Sequence, residues 1–109
     1  MKPSEAAFKA AADQADWTKS AGLAPDMLNL GGEATWPIVS ATYILLPTNP
    51  TDAAKSATVM KFFDWAYGAD GDALAAKLHY IPLPDTVADA VRKAWPANIK
   101  GPDGKAVAF

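Results

Sequence analysis

The run WPIVSATYILLP, residues 36–47, decides how the rest of the chain is read. Ile38, Val39, Thr42, Tyr43, Ile44, Leu45 and Leu46 are β-branched, aromatic or aliphatic with little alternation, and Pro37 and Pro47 bound them. A strand with one wet face would alternate apolar and polar side chains, so a continuous apolar run predicts a strand covered on both faces. That is the habit of sheets flanked by helices, and it predicts an α/β fold with a central buried strand braced by several helices.

Helix signals lie on either side of the run. Ser4 is placed to cap a helix over 5–17, with Glu5 suiting its positive end and Phe8, Ala11, Ala12 and Ala15 forming a thin apolar stripe that needs a partner surface. Thr51 or Asp52 opens a second helix through Val59, Met60, Phe62, Phe63, Trp65 and Tyr67, with Gly68 suited to a left-handed stop. Its apolar residues cover more than one face, which predicts burial between two surfaces. A short helical turn over 72–78 follows, then the extended Tyr80-Ile81-Pro82-Leu83-Pro84, whose Ile81 and Leu83 are placed to plug a groove. A helix over 85–95 presents Val87, Val91, Ala94 and Trp95 on one side, ends before Pro96, and carries Arg92 and Lys93 toward its negative end. In the tail, Gly101-Pro102-Asp103-Gly104 predicts a turn folding Ile99 against Val107 as a small hairpin.

Composition narrows the function. A chain of 109 residues has room for one modest core, and 24 of its residues are alanines that bury little area, so the core falls to the large side chains, which cluster after Trp36. Ten basic against twelve acidic residues, with no like-charge run, show no nucleic-acid footprint. Without cysteine there is neither a disulfide scaffold nor a thiolate metal site. No apolar run reaches the ~20 residues of a membrane span, and Met1-Lys2-Pro3-Ser4-Glu5 leads into an amphipathic segment, not the apolar core of a signal peptide.

The polar candidates are few. His79, the one histidine, has no cysteine or nearby acid to complete a catalytic arrangement, and it reads as a packed or surface residue. Asp13 with Asp16, and Asp85 with Asp89, are spaced one helical turn apart and read as solvated faces or helix-start charges before metal ligands. Phe62, Phe63, Trp65 and Tyr67 read as core before ligand platform, and Gly31-Gly32 as a hinge or plain turn. For an oxyanion, the candidate is the helix start Asn49-Pro50-Thr51, with Thr51 as the contact, yet the carboxylate of Asp52 competes for the same positive dipole. Arg92 is the single arginine, which argues against a self-contained oxyanion site. No catalytic constellation is present, and the chain is read as a non-enzyme without cofactor or metal.

Trp36-Pro37-Ile38 with the following Thr/Tyr/Ile-rich strand, Phe62-Phe63-Asp64-Trp65-Ala66-Tyr67, Leu83-Pro84-Asp85, Arg92-Lys93-Ala94-Trp95 and Asn98-Ile99-Lys100 together resemble the C-terminal third of periplasmic phosphate-binding proteins of ABC transporters. The resemblance is strongest over 36–100 and weaker over 7–20. It implies part of a type II periplasmic-binding-protein fold, with residues 1–32 a helix and loop from the second lobe and hinge region and residues 33–109 the C-terminal part of the first lobe. It further implies a scaffold role in phosphate uptake, an extracytoplasmic location and an ABC permease as partner of the intact receptor. The phosphate-gripping Ser, Thr, Gly, Asp and Arg positions of that family lie earlier in its sequence and none is matched here. Inorganic phosphate is then bound only together with the missing N-terminal part, and a complementary chain or self-association covers the exposed apolar faces. The alternative is a free-standing protein-interaction module reusing the same α/β piece.

Overall fold

The computed structural model describes residues 2–109. Its order is α1 (Glu5–Gln14), a single 3₁₀ turn (Ala21–Leu23), a long irregular stretch, α2 (Ala53–Ala66), α3 (Ala69–Lys77) and α4 (Asp85–Asn98). Ser4 caps α1 by accepting from the Ala7 N–H at 3.2 Å. Asp52 does the same for α2, accepting from the Lys55 N–H at 3.0 Å. These side chains satisfy amide groups that a helix start otherwise leaves orphaned.

The elements gather around two apolar clusters. In the first, Ala12, Ala15, Trp17, Met27 and Val87 are buried, and the Trp17 indole donates to the Ala12 carbonyl at 2.7 Å. In the second, Met60, Trp95, Ile99 and Val107 are buried. Helix α4 serves both, through Val87 near its start and Trp95 near its end. The thin face of α1 finds its cover on α4 and on Trp36, whose ring meets Phe8 edge-on and whose N–H donates to the Ala7 carbonyl at 3.1 Å.

The predicted central buried strand is not formed. Residues 38–46 bend at Ile38 and then lie in no helix or ladder, and no backbone hydrogen bond engages them among the described residues. Val39 and Ala41 pack on the first cluster and Leu46 on the second, so the segment bridges the two. Ile38, Ile44 and Leu45 meanwhile stand in solvent, Leu45 at 93% exposure. A strand needs neighbouring strands, and among the described residues the β pairing is limited to one antiparallel bridge, Lys100 to Ala106. That bridge belongs to the expected tail hairpin: Gly104 takes φ +75, its N–H donates to the Gly101 carbonyl, and Ile99 and Val107 are both buried.

Other expectations shift by degrees. Helix α2 is covered on one face only: Met60 is buried, while Phe62 and Trp65 are about half exposed. Gly68 has φ −94, not the left-handed stop, and begins α3 instead. Ile81 is exposed, and of that extended anchor it is Leu83 that packs on the first cluster. Helix α4 runs through Pro96 to Asn98, because a proline three residues from the end removes only one intrahelical bond. The freed last turn is closed by the Asn98 amide, which donates to the Ala94 carbonyl, and by the Lys100 ammonium, which donates to the Pro96 carbonyl.

The result is long and thin, 51 × 29 × 17 Å with a radius of gyration of 15.3 Å. A domain of this length ordinarily has about 13 Å. Its accessible surface, 7423 Å², exceeds the roughly 5,800 Å² usual for its mass.

Candidate functional site

Thr51 sits in an exposed bend just before α2, on the rim of a shallow cleft of about 490 Å³ lined by Asn49, Pro50, Thr51, Lys100, Gly101 and Gly104. The cleft lies at a helix start, where amide groups ordinarily welcome an anion. Here Asp52 already occupies that position: its carboxylate accepts from the Lys55 N–H and its carbonyl from the Ser56 N–H. The Lys100 ammonium is bonded to the Pro96 carbonyl. Thr51 therefore offers a lone hydroxyl beside a carboxylate, short of the several converging donors that hold a tetrahedral anion.

The single arginine is committed elsewhere. Arg92 Nε donates to Asp64 Oδ1 at 2.7 Å, Nη2 to the Asp64 carbonyl at 3.1 Å, and Nη1 to Asp89 at 3.3 Å. Its guanidinium also lies 5.9 Å from the centre of the Tyr67 ring. Rather than complementing the end of its own helix, Arg92 ties α4 to the last turn of α2. The hydrogen bond to Asp64 pushes the guanidinium further up from its ordinary value, so it stays charged. Burial pushes the Tyr67 hydroxyl up, with Arg92 opposing. No spacing rule announces a pair 28 residues apart; the one hint is that a solitary arginine must serve some specific partner.

The remaining candidates stay apart. Asp13 and Asp16 are exposed, and Asp16 pairs with Lys19 at 3.1 Å. Asp89 belongs to the Arg92 network, whereas Asp85 heads α4. Among the described residues no group of three or more His, Asp or Glu side chains converges as a metal site. Gly31-Gly32 form a turn, with Gly32 at φ +113 and the Thr35 hydroxyl donating to the Gly31 carbonyl. His79 is exposed at φ +62 and ends α3: its N–H donates to the Ala76 carbonyl and that of Tyr80 to the Ala75 carbonyl, the double bond pattern of a Schellman stop.

With no self-sufficient anion pocket described among residues 2–109, the chain's relatives carry the reading. It is 34% identical over 105 residues to the phosphate-binding protein PstS of Pasteurella multocida (strain Pm70), covering 96% of this chain and 30% of the relative. PstS of Haemophilus influenzae is 36% identical over 100 residues, 92% of this chain and 30% of the relative. This chain is homologous to a segment of the phosphate-binding protein PstS. PstS of Xylella fastidiosa (strain Temecula1) matches at 34% over 92% of the chain and 27% of the relative. The chain thus spans about 30% of the length of the PstS relatives it matches. No family model matches the sequence.

Proposed function

We propose that this chain supplies scaffold to a phosphate-binding receptor of an ABC uptake system, outside the cytoplasm, while the groups that grip phosphate lie on polypeptide equivalent to the rest of the relatives' length. The observation that carries this reading is the PstS match over nearly the whole chain, set beside a helix-start cleft at Thr51 whose amides already face the Asp52 carboxylate. Its role is binding and not catalysis, as the relatives' name implies. In the assembled receptor residues 38–46 join a sheet of a periplasmic-binding-protein fold, gaining on both edges the partners they lack here. Residues 1–32 belong to the second lobe and hinge, residues 33–109 to the first lobe, and the contact of Trp17 and Met27 with Val87 holds the two parts together. The receptor then delivers phosphate to an ABC permease.

Calorimetric titration tests it directly. The 109-residue chain alone should show no phosphate binding, whereas the same segment exchanged into the Haemophilus influenzae relative should restore binding to within tenfold of that relative. A Thr51→Val change in the exchanged protein should shift the affinity by less than about twofold, as expected for an exposed hydroxyl outside the grip. Micromolar binding by the isolated chain, or failure of the exchanged receptor to bind although folded, would overturn the reading.

A further inference from the structure

We draw no further inference here: the strongest candidate, the apolar surface patch on α2 where the half-exposed rings of Phe62 and Trp65 lie 5.9 Å apart, carries nothing because the chain spans about 30% of the relatives it matches and nothing in the structure shows what covers that patch.

Discussion

At the scale of single residues, two positions carry more conformational demand than their chemistry suggests. His79 holds a left-handed backbone angle, φ +62, to end α3, a conformation glycine adopts without the Cβ penalty. His79→Gly should therefore stabilise the chain by about 0.5–1 kcal/mol in urea unfolding, the relieved Cβ strain outweighing the added backbone freedom of the unfolded chain. Gly71 lies inside α3, where glycine is ordinarily unfavourable, but a Cβ there would overlap the backbone of Ala66 at the end of α2. Gly71→Ala should lose about 1–3 kcal/mol despite its better helix propensity, because backbone cannot yield as a side chain would. Neither role is legible in the sequence: the glycine has no local partner there to explain it, and the histidine reads only as a packed or surface residue, not as a helix stop.

Between elements, the Arg92 network joins α2 to α4. Both partners are partly solvated, with side-chain exposures of 33% for Arg92 and 44% for Asp64, so the contribution is modest. Arg92→Lys should cost about 1 kcal/mol, since an ammonium cannot reach the Asp64 carboxylate and carbonyl in one fork. Tyr67 adds a pH dependence. Its folded pKa lies above the ordinary 10.0 because burial disfavours the phenolate, so the stability linked to it is complete below pH 10 and is lost as pH rises through the folded value. The urea midpoint should fall as pH rises above the ordinary 10.0, and Tyr67→Phe should flatten that fall. The caps at Ser4 and Asp52 and the Gly101–Gly104 turn were readable because each is settled within four residues. The strand expected at 38–46 was not, since a ladder depends on pairing partners distant in sequence, and none lies beside this segment among the described residues. The unoccupied-looking helix start at Thr51 was legible as weak for the same local reason, Asp52 being the next residue.

For the whole molecule, the decisive fact is that two clusters share one helix. Met60, at 1% exposure the most buried large side chain, anchors the second cluster, while Val87 and Trp17 belong to the first. Met60→Ala should cost about 2–5 kcal/mol. Because α4 carries both clusters, hydrogen exchange should quicken in α1 as well as in α2; protection retained in α1 alone would show the halves to be independent. The sequence foretold modest burial in a chain of this size, but not the division of its core, because clustering along the sequence does not report which residues meet in space.

The shared helix also makes the chain sensitive to phase. Val87 and Trp95 sit eight residues apart on α4, which separates their anchoring points by about 12 Å and just over two turns. Inserting one alanine between them would swing the indole by about 100° around the axis, away from Met60, whereas the irregular stretch before α2 has no such pitch to preserve. The molecule thus tolerates slack in its cord and none in its spar.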